Sequence, residues 1–281
     1  MKTLLILAGG ASSRMKASTP SNALSVAEIK AANSTNKGLI VLEGDQRPVL
    51  DYLIKNASEA GFTRIILITG TNQESFLHYY GNAPWNKTHL KVHVAFATQH
   101  IPKERTKPHG TADAVFQALE QYPELQNQAF GVCNCDNLYS AAAFKLLLQT
   151  PANNAFIAYD RDGLEFPAQK IARFAVCKLN ASYYLENIKE KPEPEQLNEY
   201  VDSLGKLRVS MNIFKFSGQD FYSFLKACPE HPMRKEKELP TAILNMIKAT
   251  NASLLGIPLE EHVPDLTTKE DILVFKQFLK K

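Results

Sequence analysis

Apolar runs and amphipathic segments alternate along the first half of the chain. Continuous apolar runs such as RIILITG, residues 64–70, are typical of strands buried on both faces, while apolar positions three and four apart predict helices. The predicted order is a strand at 3–8, a helix at 48–60 that Gly61 ends, strands at 64–70 and 91–97, a helix from Thr111, and a strand at 129–133. This β-α-β order predicts an α/β fold with a parallel or mostly parallel sheet covered by helices.

The second half of the chain is less regular and contains more predicted strand than helix. Strands are predicted at 155–159, 171–178, 183–189 and 209–216, and helices at 239–249 and 268–280. Pro240 suits the first turn of one helix, and Thr267 and Glu270 have the spacing of a capping box at the start of the other. We therefore expect the second half to extend the same sheet as a mixed sheet.

Residues 17–36, ASTPSNALSVAEIKAANSTN, form a polar and small-residue insertion without a clear hydrophobic period. Long connections of this kind are usually mobile lids or disordered segments. We therefore expect the insertion to be largely structureless.

Composition and charge exclude several classes of function. The 281 residues carry a formal net charge of +3 and no long basic tract, which argues against nucleic-acid binding. The apolar run at 3–8 is only one strand long and has no cleavage site, so we expect a cytoplasmic protein without a membrane span. The four cysteines lack the paired spacing of a zinc site, which favours buried free thiols: Cys133, Cys135, Cys177 and Cys228.

The stretch LILAGGASSRMK, residues 5–16, follows the first predicted strand directly. Adjacent glycines let the backbone approach a ligand, and successive N–H groups in such a turn bind anions, phosphate above all. A plain tight turn is the alternative; a dinucleotide loop is not, because Gly9 and Gly10 are adjacent and Arg14 stands where the third glycine would be. Arg14 adds a fork of donors to this loop, which favours an anionic guest.

These residues resemble the L-A-G-G-x-G-[ST]-R-[ML] signature of the sugar-1-phosphate nucleotidyltransferases. Six further blocks are similar to the family's motifs in the same order, namely NKGLIVLEGDQRPVLDYLIKNASEAGFTRIILITG (36–70), HGTADAVFQAL (109–119), FGVCNCDNLYS (130–140), ENIKEKPEPE (186–195), SMNIFKF (210–216) and VPDLTTKEDILVFKQF (263–278). The sequence departs from the pattern in three places. The connection from Arg14 to Lys37 is longer than usual, Asn36 replaces a proline, and Cys135 replaces a glycine.

The resemblance implies a Rossmann-like three-layer α/β/α sandwich with a mostly parallel mixed sheet. It implies one catalytic domain over residues 1–281, with a nucleotide-binding half at about 1–140 and a sugar-phosphate half at about 141–281. The implied substrates are an NTP and a sugar 1-phosphate, which give an NDP-sugar and pyrophosphate. The sequence does not determine the oligomeric state, and a homo-oligomer is compatible with it.

The resemblance also assigns roles to residues. The catalytic residues would be Arg14, Lys37 and Asp136, and those of the nucleotide site Leu7, Ala8, Gly9, Gly10, Gln99, Gly110 and Thr111. The sugar-phosphate site would use Glu190, Lys191 and Asn212. Asp136 and Asp265 would bind Mg²⁺, which prefers hard oxygen ligands, and Asp136 also ends an apolar strand, at the sheet edge where ligands bind in open α/β folds.

Simpler interpretations stand beside these assignments. Asp136 is also explained as a strand-end turn or helix N-cap residue, Asp265 as a loop aspartate, and Gln99 as a surface amide. Glu190 and Lys191 also suit a solvated charged turn, and Thr111 a helix-starting residue.

Three functions remain open from the sequence. GTADAV is most like the block of adenylyltransferases that act on glucose 1-phosphate, so glucose 1-phosphate is the favoured sugar, but neither base nor sugar is determined. A catalytically silent regulator that binds a nucleotide or nucleotide-sugar is one alternative. A cytidylyltransferase acting on an alcohol phosphate is the other.

Overall fold

Strands and helices alternate along the first half of the chain, as the hydrophobic pattern predicts. The computed structural model describes residues 1–42, 44, 46–250 and 253–280. Within these residues the nine strands are β1 (Thr3–Leu7), β2 (Arg64–Thr69), β3 (His93–Thr98), β4 (Ala129–Asn134), β5 (Ala155–Asp160), β6 (Ala175–Leu179), β7 (Leu185–Lys189), β8 (Arg208–Ser217) and β9 (Leu255–Leu259). The helices are α1 (Ser13–Ala17), α2 (Val26–Ser34), α3 (Leu50–Ala60), α4 (Glu74–Tyr80), α5 (Ala83–Trp85), α6 (Thr111–Gln121), α7 (Ala141–Gln149), α8 (Ala168–Ile171), α9 (Gly218–Lys226), α10 (Leu239–Ala249) and α11 (Asp271–Phe278).

All the strands of the described chain belong to one mixed sheet. Seven of them follow the order β3-β2-β1-β4-β8-β5-β9, and β6 and β7 form an antiparallel pair attached to β8. Along the seven-strand path of the described residues, β8 alone runs opposite to the other strands. The prediction of a mostly parallel sheet with a mixed extension is therefore confirmed, and strands from both halves of the chain share the sheet.

Helices cover both faces of the sheet, because its strands are apolar on both sides. In β1, Leu4 and Ile6 belong to one apolar core and Leu5 to the other. Helices α3 and α7 pack in the first core, and helices α6, α9 and α10 in the second. The three-layer α/β/α sandwich is the fold class that the sequence predicts.

The main differences from the prediction in the second half are the start of one strand and the cap of one helix. The strand expected at 171–178 begins only at Ala175, because 168–171 form the short helix α8. The capping box expected from Thr267 and Glu270 is wrong: α11 begins at Asp271, whose own carboxylate accepts the N–H groups of Thr267 (2.9 Å) and Thr268 (2.6 Å).

The insertion at 17–36 is folded, so the expectation of a structureless segment is wrong. Ser25 and Glu28 form a capping box at the start of α2, and Ala32 is fully buried. Glu28 is only 1 % exposed and pairs with Lys276 of α11 at 3.0 Å. The buried side chains of α2 are Glu28 and Ala32, and Ile29 is partly buried against the core, so its hydrophobic period is weak.

Two further expectations concern the cysteines and the membrane. The four cysteines are free and buried, as expected. Among the described residues, no helix combines the length and the apolarity that crossing a bilayer requires.

Candidate active site

A cleft of about 420 Å³ opens at the edge of the sheet where β1 and β4 end. This is the carboxyl edge of the parallel strands, where open α/β sheets bind ligands. The predicted site residues that line it are Leu7, Gly9, Gly10, Arg14, Lys37, Gln99, Gly110, Thr111 and Asp136. The predicted catalytic residues and all but one of the predicted nucleotide-site residues therefore meet in one place.

The glycine loop leaves β1 close to the neighbouring strand. Ala8, the remaining residue of the predicted nucleotide set, is 1 % exposed, and its N–H donates to the carbonyl of Ile68 at 2.8 Å. A Cβ atom at Gly9 would lie 3.5 Å from Oε1 of Gln99, whereas one at Gly10 would meet nothing within 4 Å. The loop thus keeps its main chain accessible to a ligand at Gly10.

Asn36, which replaces the family's proline, binds the glycine loop directly. Its Nδ2 donates to the carbonyls of Ala8 (2.7 Å) and Gly10 (3.4 Å), and its Oδ1 accepts the N–H of Gly38 at 3.0 Å. The next residue, Lys37, donates its N–H to Oγ of Ser12 at 3.3 Å. Asn36 therefore links the glycine loop to the segment that carries Lys37. No local sequence signal indicated this role.

Lys37 and Asp136 form an ion pair inside the cleft. Burial lowers the pKa of Lys37, but the charge of Asp136 and the hydrogen bond to it outweigh burial, so the pKa lies above its ordinary value. The lysine is thus held as an ammonium beside the end of β4. The pairing joins two residues that are 99 positions apart in sequence.

Cys135, which replaces the family's glycine, packs against Gly38. A Cβ at Gly38 would lie 3.3 Å from the carbonyl oxygen of Cys135 and 3.4 Å from its Sγ. The glycine therefore makes room for the larger side chain. Burial, followed by the charge of Asp136, raises the pKa of Cys135 to about 12, so the residue is a packed thiol rather than a nucleophile.

Asp265 lies beside Asp136, although it does not line the cleft itself. The N–H of Leu266 donates to the carbonyl of Asp136 at 2.8 Å, and Nδ2 of Asn137 donates to Oδ1 of Asp265 at 3.4 Å. Burial and then the charge of Asp136 raise the pKa of Asp265, against the opposing effect of Lys170 at 3.1 Å. Lys170 was missed by sequence reasoning, because it lies 95 positions from Asp265.

The two neighbouring carboxylates fit a Mg²⁺ ion better than a metal that needs a full protein cage. Within the described residues no group of three or more His, Cys, Asp or Glu side chains gathers as a metal site. Mg²⁺ is typically bound by one or two carboxylates together with waters and substrate phosphates. Asp136 and Asp265 supply such a donor pair, and each is neutralised in this structure by a lysine, Lys37 and Lys170 respectively.

Gln99 is held in one orientation in the wall of the cleft, beside Gly9 and Gly110. Its Nε2 donates to the carbonyl of Gly110 (3.0 Å) and to Oδ2 of Asp113 (2.9 Å), both of which are acceptors only. Its Oε1 consequently points toward Gly9. Gln99 is 4 % exposed, so it is not the surface amide of the simpler interpretation.

Gly110 and Thr111 connect the cleft to the start of α10. Gly110 has φ +103°, and a Cβ there would lie 2.3 Å from the carbonyl oxygen of Lys237, so a glycine is required. Oγ1 of Thr111 accepts the N–H of Leu239 at 3.0 Å. The hydroxyl of Thr111 therefore has a structural partner, although the residue also lines the cleft.

The three residues predicted to bind the sugar phosphate are not among those that line the cleft. Glu190 pairs with Arg234 at 2.6 Å, and Lys191 is exposed with φ 45°. Asn212 has φ 60° and directly precedes Ile213, which pairs with Cys133 near the carboxyl end of β4, so Asn212 lies near the cleft end of β4. Sequence reasoning did not single out Arg234.

Two charged residues that line the cleft were also missed. Lys107 lies in the loop between β3 and α6, Glu236 lies in the loop between α9 and α10, and both line the same cleft as Arg14. Both lie in polar stretches whose sequence suggests only solvated surface, and the fold alone brings them together.

Comparison with known proteins agrees with this geometry. The family model described as "Nucleotidyl transferase" matches residues 3–255. Among solved structures, the chain is similar to the crystal structure of a UDP-glucose pyrophosphorylase complexed with UDP-glucose, with a TM-score of 0.69, 15% sequence identity, and 100% of each chain covered. No curated protein sequence matches the chain significantly. The structural likeness shows a shared fold, and the family match over most of the sequence shows that the chain belongs to the nucleotidyl transferase family.

Proposed function

We propose that the protein joins an NTP to a sugar 1-phosphate in this cleft and releases pyrophosphate. The observation that carries the proposal is the convergence of Arg14, Lys37 and Asp136 on one cleft beside an exposed glycine loop. Two polyanionic substrates must meet for this reaction, and negative charge grows on the leaving pyrophosphate. A site with an arginine, a lysine and a carboxylate pair suits that requirement.

The side chains of the cleft have distinct parts in the proposed reaction. The loop backbone and Arg14 bind the triphosphate, and Arg14 stabilises the leaving pyrophosphate. Lys37, which Asp136 holds as an ammonium, contacts the α-phosphate and the attacking phosphate oxygen. Mg²⁺ held by Asp136 and Asp265 would supply further positive charge to the phosphate oxygens. The protein thus acts by positioning and electrostatics rather than by covalent chemistry.

In this proposal the nucleobase lies on the main chain of the glycine loop, beside Gln99 and Gly110. Because both Nε2 protons of Gln99 are used by Gly110 and Asp113, its Oε1 is the atom presented toward Gly9. A base with an N–H group at that position is favoured. The main chain at Gly110 then lies alongside the base.

Glucose 1-phosphate is the first sugar phosphate to test. The GTADAV block favours it, and the similar fold of the UDP-glucose pyrophosphorylase is consistent with it. Glu190 and Asn212 would bind sugar hydroxyls, and Lys191 would bind the phosphate. For Glu190 to do so, its carboxylate has to leave or share its contact with Arg234.

Pyrophosphate release across a grid of substrates tests the proposed function. Five NTPs are combined with several sugar 1-phosphates and alcohol phosphates in the presence of Mg²⁺. Released pyrophosphate and nucleotide binding are measured. We expect turnover with one NTP and one sugar phosphate well above all other pairs. Nucleotide binding without turnover for any pair would instead support a silent regulator, and turnover only with CTP and an alcohol phosphate would support a cytidylyltransferase of that class.

A further inference from the structure

Lys269 is a buried lysine outside the cleft that binds the helix carrying Arg14. It lies in segment 265–271, between β9 and α11, which we call the brace, and it is 3 % exposed. Its Nζ donates to the carbonyls of Met15 (3.0 Å), Lys16 (2.9 Å) and Ser18 (2.5 Å). Its own N–H donates to Oγ of Ser18 at 3.0 Å. Four hydrogen bonds thus join one residue of the brace to the end of α1.

The three carbonyls belong to the C-terminal end of α1. The last carbonyls of a helix have no partner within the helix and carry its partial negative charge, so a cation there is stabilising. A buried ammonium is costly unless all its protons are bonded, and Lys269 has three acceptors for its three N–H groups. The ammonium is therefore satisfied only while α1 keeps its present position.

Helix α1 depends on such support because it is short. It has five residues, and isolated helices of this length are not stable in water. It presents Ser13 and Arg14 to the cleft. Any displacement of α1 would therefore move the guanidinium of Arg14 relative to the rest of the cleft.

The other end of the brace carries Asp265, the second carboxylate of the site. The brace is cross-linked to itself, because Asp271 accepts the N–H groups of Thr267 and Thr268. Lys170 also bridges Asp265 (3.1 Å) and Asp271 (2.8 Å). One bonded segment therefore holds both Asp265 and, through Lys269, the helix that carries the arginine.

We propose that Lys269 is a positioning residue of the transfer site, which fixes α1 so that Arg14 meets the triphosphate at a set distance from Asp265. This inference rests on the proposed function, in which Arg14 binds the triphosphate. It goes beyond that function by assigning a role to a residue that touches neither substrate. A lysine that served stability alone would change the melting temperature without changing affinity for polyphosphate.

The test compares Lys269→Met with Lys269→Arg and with Lys276→Met as a matched control. Lys276 is a second lysine of the same region, but it pairs with Glu28 of α2. Binding of inorganic tripolyphosphate is measured by calorimetry, together with the KM for each substrate. Hydrogen exchange is measured at the amides of Lys16 and Ser18, which donate to carbonyls of Ser12 and Arg14.

We expect Lys269→Met to raise the tripolyphosphate Kd and the NTP KM at least about tenfold, because a misplacement of about 1 Å can cost up to about 10²-fold, while the sugar-phosphate KM changes less than about twofold. The two α1 amides should exchange faster in this variant. Lys269→Arg, which keeps donors at the same place, should lie nearer the wild type. Lys276→Met should lower the melting temperature and leave the tripolyphosphate Kd unchanged.

A wild-type tripolyphosphate Kd in Lys269→Met, with only a lower melting temperature, would overturn the inference. If that variant does not fold, Ser18→Ala removes the hydroxyl that accepts the main-chain N–H of Lys269 and donates to the carbonyl of Met15. This change loosens the same end of α1 and should raise the Kd in the same direction by less; an unchanged Kd overturns the inference there too. The two proposals fail separately. If Lys269→Met weakens tripolyphosphate binding as expected but the wild-type protein never releases pyrophosphate, the proposed function alone is refuted.

Discussion

The proposed nucleotide site and the proposed sugar-phosphate site are held in different ways. On the nucleotide side, Lys37 pairs with Asp136, Asn36 binds the glycine loop, and Gln99 is bonded to Gly110 and Asp113. On the sugar-phosphate side, Glu190 makes an exposed ion pair, Lys191 is exposed, and Asn212 lies at a positive φ. The proposed nucleotide site is therefore preformed, while in our proposal Glu190 has to leave or share its contact with Arg234 before it can bind a substrate.

This difference predicts which kinetic constant a substitution in each site should change. A preformed site loses transition-state stabilisation or NTP affinity when one of its bonds is removed, since nothing nearby replaces it. An exposed turn has little packing to lose, so changes there should affect the sugar-phosphate KM more than stability. The four substitutions that follow test this contrast in order of decreasing effect.

Asp136→Asn should have the largest effect and is expected to lower turnover by roughly 10²-fold or more, a typical loss for removing a main electrostatic element. The change keeps the shape of the side chain and removes its charge beside Lys37. Turnover and the circular dichroism spectrum are measured together. Asp162→Asn is the matched control, because the Asp162 side chain is 79% exposed. Wild-type turnover in Asp136→Asn would remove this residue from the site.

Gly110→Ala should destabilise the wall of the cleft where Gly110 packs against Lys237. The positive φ alone costs about 1–3 kcal/mol for a residue with a Cβ, and the collision with the carbonyl of Lys237 adds to it. We expect a lower melting temperature and a raised NTP KM. Gly205→Ala is the control, because φ there is +74° but a Cβ would meet nothing within 4 Å. An equal loss of stability in both variants would mean that the contact with Lys237 has no effect.

Asn36→Ala should raise the NTP KM about fivefold, which corresponds to the roughly 1 kcal/mol of one hydrogen bond. The amide that binds the carbonyls of Ala8 and Gly10 is lost, so the glycine loop is held less firmly. Asn36→Pro restores the family's residue at φ −64°, which proline accepts, and should behave like the alanine variant because it also lacks the amide. An unchanged NTP KM in both would show that the loop holds its shape without Asn36.

Glu190→Gln should have the smallest effect on stability, below about 1 kcal/mol, because its ion pair with Arg234 is exposed. The sugar-phosphate KM should nevertheless rise, since the carboxylate is proposed to bind a hydroxyl pair. Arg234→Gln separates the two roles, because it frees Glu190 and should leave that KM unchanged or lower it. A sugar-phosphate KM that rises equally in both variants would mean that the ion pair itself, rather than Glu190, shapes the site.

The fold was largely predictable because its strands bury apolar residues in continuous runs. The strand at 64–70 is observed at 64–69, and the helix at 239–249 has these bounds in the structure. The insertion was not predictable by the same reasoning, because α2 packs through Glu28 and Ala32. One signal was present in it: Ser25 and Glu28 have capping-box spacing ahead of the helix.

The site was predictable only as far as local motifs extend. Arg14, Lys37 and Asp136 each stand in a motif, and the structure brings them to one cleft. Lys170 and Lys269 could not be found in the sequence, because their partners lie 95 and more than 250 positions away. Contacts of that kind depend on how the brace and α1 pack in three dimensions, which no local pattern encodes.

The reverse reaction is the sharpest test of the proposed synthesis of an NDP-sugar in this cleft. Labelled pyrophosphate is mixed with a panel of nucleotide sugars and Mg²⁺, and the label is followed into NTP while the released sugar 1-phosphate is measured. We expect wild-type protein to form both products in equal amounts from one nucleotide sugar. Asp136→Asn should form them roughly 10²-fold more slowly. A protein that binds a nucleotide sugar tightly yet never transfers label from pyrophosphate into NTP would contradict the proposed synthesis.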